Sequence, residues 1–229
     1  MADDDKLWPW LPTSELARLA LVAASEHLQL VGECVERQRL YVTASHTALR
    51  AALLGAASAV WLLGPTDGEE RRQRGLRSAS EWYRRKAQAD ELLLEACPPD
   101  QRAQLSLQIQ YLQDRCRESR ALWTTTATLT ARETPKDTQV IHWVALVMFA
   151  QDKNKQRSLR VLWAEMSGDA HALGWQLLSR RTAPMTRSDI RLHETAVLSE
   201  ISHLAEPYMG AFTLLKRGWS LFDQRCSER

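Results

Sequence analysis

A chain of 229 residues, 45% hydrophobic and 25% charged, is long enough to bury a substantial core without disulfide or metal staples. Only 9 glycines and 8 prolines mean few turns and long elements, which favours helices over a many-stranded β fold. A formal net charge of +2 is too small to argue for nucleic acid by itself.

The beginning, M-A-D-D-D-K, is acidic and lacks the apolar core of a secretory signal. Cys34, Cys97, Cys116 and Cys226 lie far apart with no C-x-x-C, so they read as reduced thiols of a cytoplasmic protein. Residues 1–12 read as an N-terminal arm, because Trp8-Pro9-Trp10 followed by Pro12 cannot be helix interior. Two tryptophans on an arm point to docking in a groove, either of a partner subunit or of the chain's own domain. Residues 13–229 read as a single α-helical domain.

Thr13 or Ser14 caps a first helix, with Leu16, Leu19, Ala23, His27, Leu30 and Cys34 along its stripe to about Arg39. A second helix runs to Leu63 and is stopped by Gly64-Pro65. Arg50 falls inside its apolar stripe, where a buried guanidinium would need a partner such as Glu26, Glu165 or Asp169 and an edge-lying one would snorkel to water. Asp67 opens a third helix, with Glu69 and Glu70 where the helix dipole prefers acids, and Cys97-Pro98-Pro99 ends it. Leu105, Ile109, Leu112, Cys116 and Trp123 mark a fourth.

The run Val140–Ala150 is apolar on nearly all sides and too short to cross a bilayer, so it reads as a central core helix with no membrane role. One helix then reaches about Met166 and another runs from about Asp169 to Arg180, with a break at Ser167-Gly168. Residues 181–187 form a connector. Later helices carry Ile190, Val197, Ile201 and Leu204, and then Met209, Phe212, Leu215, Trp219 and Phe222. With no alternating pattern long enough for a sheet, the fold class is all-α, a single bundle of about eight or nine helices.

Candidate sites are few. No P-loop, G-x-G-x-x-G, G-x-S-x-G or zinc-finger spacing occurs, and no cofactor is expected. The third helix carries Arg71, Arg72, Arg74, Arg77, Arg84, Arg85 and Lys86 with Trp82 among them, a mixture that either holds RNA or forms a solvated face. Glu200 and His203 are spaced as two metal ligands on one helical face, although the second such pair of a di-iron bundle is missing. Arg187 and His193 fit the Arg–His spacing of some helical ribonucleases, but chance alone supplies about two such pairs here.

The one polar anomaly in a buried-looking pattern is Ser167-Gly168-Asp169-Ala170-His171. Ser167 and His171 share a helical face at i and i+4. With Asp169 and with Arg50 from the second helix, they read as a polar cluster that either fixes helix packing or contacts a ligand. The surrounding W-A-E-M-S-G-D-A-H-A-L-G-W resembles the Y-R-x-L-S-x-x-x-H-G pattern of a group of uncharacterised actinobacterial helical proteins. An earlier helix of that group, ending in W-L-L, resembles Thr47–Leu63 at Arg50 and Trp61. The group's Glu position is Leu54 here, and the Gly after its His is Ala172. Such proteins are similar in outline to HEPN-like bundles, some of them RNA-cutting toxins or nucleotide-binding modules and often dimers.

The expectation is therefore a cytoplasmic helical protein that acts by binding an unidentified ligand or protein partner, as a homodimer if the resemblance extends that far. The competing expectations are a HEPN-like ribonuclease using Arg187 and His193, with RNA on the basic helix, and a metal-binding bundle using Glu200 and His203.

Overall fold

The computed structural model describes residues 1–39, 41–126, 135–176 and 201–227. Its helices are α1 (Ala2–Lys6), α2 (Thr13–Glu36), α3 (Val42–Leu63), α4 (Gly68–Ala96), α5 (Pro99–Thr126), α6 (Asp137–Met148), α7 (Lys153–Ala170) and α8 (Ser202–Ser227). No strand occurs among the described residues, and the chain is an all-α, multi-helix bundle.

Local chemistry sets most helix ends. The Asp67 carboxylate accepts from Glu69 N at 3.0 Å and starts α4. Cys97, extended at φ −74° and ψ 136° before Pro98, ends it. Asp152 starts α7 by accepting from Lys155 N at 3.0 Å. α2 closes with Gln38 in the left-handed region, φ 55°, and Arg39 N donating back to Cys34 O at 2.8 Å.

One expected end is corrected, and one stands where expected but is closed by other chemistry. α7 does not break at Ser167-Gly168 but runs through to Ala170. Gly168 is needed there for room, since a Cβ would stand 2.5 Å from Trp175 Cζ2. α3 ends at Leu63, before Gly64-Pro65, as expected, but without a left-handed cap, because Gly64 has no positive φ. Arginines from elsewhere take the free carbonyls instead. Arg74 donates to Trp61 O, Arg225 to Leu63 O and Pro65 O, and Arg71 to Pro65 O and Thr66 O.

The chain divides into two compact units. The first comprises Met1–Leu19, Trp61–Lys136 and Ser220–Arg229, and the second Ala20–Val60 and Asp137–Trp219.

Unit 1 is built on the long α4–α5 hairpin. Its core joins Trp8 to Leu76, Ala79, Tyr83, Leu112 and Trp123. Residues 1–12 thus lie on their own unit, and Arg71 Nε donates to the buried Asp4 carboxylate at 2.7 Å. The first turn of α2 crosses α4 at Gly75. A Cβ at Gly75 would meet Thr13 Oγ1 at 2.0 Å, so only glycine admits the crossing.

Unit 2 packs apolar faces of α2, α3, α6, α7 and α8. Gly55 on α3 lies against Ala20 O and Ala24 on α2, and Gly218 on α8 against Leu21 and Ala59. Gly210 on α8 lies against Leu162 of α7, and α6 packs along α7. α3 is long and apolar enough to cross a membrane by composition alone. Within its most apolar stretch, 67% is buried inside the protein, as in a core helix.

Candidate functional site

Arg50 reaches α7 from α3, so the two stretches singled out in the sequence meet. Trp163 and Ser167 are at i and i+4 and share one face of α7. Ser167 Oγ donates to its own helix at Trp163 O, 2.7 Å, which leaves its lone pairs free to accept. Arg50 Nε donates to that oxygen at 3.0 Å. The Trp163 ring lies under the guanidinium, 4.2 Å from Arg50 Cζ to its centroid. The ring is fixed from its other side, where Trp163 Nε1 donates to Thr138 Oγ1 of α6 at 3.3 Å. The last turn of α7 has no basic residue of its own, so Arg50 also brings a cation to the negative end of that helix.

Arg50 is half-buried and pairs with none of Glu26, Glu165 or Asp169. Among the described residues, its Nη1 and Nη2 have no hydrogen-bond partner. A planar cation is therefore oriented at its Nε edge and on one face, with its terminal nitrogens unused.

Of the four residues in the expected cluster, the structure joins two. Asp169 is buried, on a different face of α7 from Ser167. His171 is exposed and serves as the helix C-cap, its backbone N–H turned to Ser167 O and Asp169 O. Ala172 follows at φ 52°, and Leu173 N donates to Gly168 O at 3.0 Å, closing a Schellman turn. The residue that sequence reasoning missed is Trp163. Its signal was a tryptophan one helical turn before the serine.

The basic helix is not one solvated face. Arg71, Arg74 and Arg77 are buried. Arg71 meets Asp4, Arg74 meets Glu70 and stacks on Trp61 at 4.8 Å, and Arg77 stacks on Trp123 at 5.1 Å. Burial pushes the Arg74 and Arg77 guanidinium pKa values down, with Glu70 opposing in both cases. The outward cations each meet a carboxylate, two of them sharing one. Arg72 pairs with Glu69 at 2.8 Å, Arg84 and Arg85 both reach Glu81, and Lys86 reaches Asp90. Hydrogen bonds from Arg84 hold the Glu81 carboxyl down to about 2, with Arg85 adding to the effect against burial. Trp82 is exposed, edge-on to Tyr83. The RNA face expected from the sequence would have to work with few uncommitted charges.

Arg187, His193 and Glu200 lie outside the described residues. His203 is exposed on the first turn of α8. Among the described residues no group of three or more His, Cys, Asp and Glu side chains is placed to hold a metal ion. The Cys116 thiol donates to Ser80 O, and burial pushes its pKa up, which disfavours the thiolate. No family model, curated protein or solved structure matches the chain, so the arrangement of Arg50, Trp163 and Ser167 stands on its own geometry.

Proposed function

We propose that the chain is a binding module whose second unit recognises an anionic group, a carboxylate or a phosphate, through Arg50. The observation that carries this reading is the guanidinium held by Ser167 Oγ and the Trp163 ring, with no carboxylate partner and both Nη atoms unengaged among the described residues. Arginine is suited to this role because its planar fork can present two parallel N–H groups to two oxygens. Orientation by Ser167 and Trp163 removes much of the side-chain entropy that binding would otherwise cost. The same arginine is one of the positions, with Trp61, Ser167 and His171, at which the chain resembles the actinobacterial group.

The test is nitrogen-resolved NMR of the arginine side chains, with Arg50 assigned by the Arg50→Gln variant. Titrating acetate or inorganic phosphate at constant ionic strength is expected to shift the Arg50 guanidinium signals in a saturable way. Signals that follow ionic strength alone would leave Arg50 as a packing element, and the reading would be abandoned.

A further inference from the structure

Unit 1 holds a second arginine in a different situation. Arg77 is 5% exposed and lies over the Trp123 ring. Its Nε and Nη2 are enclosed and have no acceptor among the described residues, and Trp123 Nε1 is likewise enclosed without one. The arginines one and two turns earlier are matched, Arg74 by Glu70 and the Trp61 carbonyl, and Arg71 by Asp4. Two guanidiniums, those of Arg74 and Arg77, thus share the field of Glu70, whose Oε1 is already taken by Arg74. An arginine does not relieve burial by giving up its proton. Native interiors pair nearly all such groups, and a buried cation without an acceptor calls for a physical reason.

The unpaired atoms share one chemical character, since all three are donors. Arg77 Nε and Nη2 form the side-on edge of the guanidinium, where two N–H groups run parallel and match two oxygens of one oxyanion. The nearby indole N–H adds a third donor.

We propose that Arg77 and Trp123 form an oxyanion site in unit 1, closed in this structure by the Trp123 ring, which takes a phosphate or carboxylate group. Opening requires the ring to slide off the guanidinium while its N–H stays within reach of the bound oxyanion. Trp123 is placed for this, one turn before the end of α5. The anion then supplies the negative charge that Glu70 does not, and accepts from the Nε–Nη2 edge.

The test follows thermal unfolding of the whole chain as inorganic phosphate is added, with sodium chloride holding ionic strength constant. Acetate is run in parallel to separate phosphate from carboxylate. The wild type is expected to show a saturable rise in Tm, about 5 °C at a hundredfold excess over Kd. Arg50→Gln is expected to keep the part of the rise that unit 1 supplies. Arg50→Gln combined with Arg77→Met should show none, and Arg77→Lys in the Arg50→Gln background, which keeps the charge but loses the fork, should retain less than a tenth of the affinity. Trp123→Phe should weaken binding several-fold. If Arg77→Met fails to fold, the lysine variant carries the comparison. A wild type indifferent to both anions overturns the proposal, as does an undiminished response in Arg77→Lys in the Arg50→Gln background. A response lost only in Arg50→Gln would place the anion at Arg50, which sinks the Arg77 site and leaves the other reading standing.

Discussion

The pairing of Arg50 with Ser167 can be weighed by a double-mutant cycle. Ser167→Ala deletes the oxygen that Arg50 Nε uses at 3.0 Å. A hydrogen bond to a charged group contributes about 1.5–3 kcal/mol when its alternative is an unsatisfied donor. Arg50 is half-buried, so water can replace part of that loss, and about 1 kcal/mol remains. Alanine also gives back about 0.5 kcal/mol in helix propensity and ends the back-bond from Ser167 Oγ to Trp163 O. The single variant should therefore cost only about 0.5 kcal/mol, which understates the interaction. Adding Arg50→Met and the double variant isolates the pairwise energy, expected at about 1 kcal/mol. Urea unfolding of all four proteins, followed by far-ultraviolet circular dichroism with equal m-values, gives the number. A coupling below about 0.3 kcal/mol would mean that the two groups do not hold each other in solution, and the pre-oriented guanidinium would have no basis.

Three further outcomes follow from the geometry. Gly75→Ala places a Cβ 2.0 Å from Thr13 Oγ1, and overpacking should outweigh the gain in helix propensity for a net loss of about 1–3 kcal/mol. Thr13→Ala in the same chain should restore part of it, and a Gly75→Ala protein more stable than wild type would refute the close crossing. Ala172→Gly removes a side chain from a left-handed position, φ 52°, and should raise stability by about 0.5–1 kcal/mol in denaturant titration; no gain would refute the Schellman turn. Glu81 has its carboxyl held at about 2 against an ordinary 4.5. Its contribution is whole above pH 4.5 and is lost as the pH falls toward 2. With Arg84 and Arg85 largely solvated, it amounts to about 1 kcal/mol after screening. Glu81→Gln should flatten the stability profile over that window, and an unchanged slope would refute the assignment.

Elements that depend on local chemistry were legible in the sequence. Asp67 and the Cys97-Pro98-Pro99 stop bracket α4 as read, because a cap and a proline act on their immediate neighbours. The meeting of the Arg50 helix with the Ser167 stretch was legible because each broke an apolar stripe. The cluster around it was overdrawn. Asp169 and His171 were joined to Ser167 by proximity in sequence, and the position of α7's end, which turns His171 into an exposed cap, is decided by Trp175 folding back over Gly168. Hidden most completely was the interior of unit 1. A run such as R-R-Q-R-G-L-R reads as a wet helix face, yet Arg71 and Arg74 point inward because the carbonyls at the end of α3 need donors. Hydrophobic periodicity has no term for a helix end satisfied by another helix.

The arginines at the end of α3 also order events during synthesis. Arg71 and Arg74 leave the ribosome 5 to 13 residues after the carbonyls they meet. Arg225 donates to Leu63 O and Pro65 O from 162 and 160 residues downstream. At usual elongation rates that interval lasts on the order of 10–30 s. Through all of it, the nascent chain must keep the Leu63 carbonyl and its surroundings solvated or shielded by other means. Unit 1, although it contains the first residues made, is among the last parts of the protein to be finished.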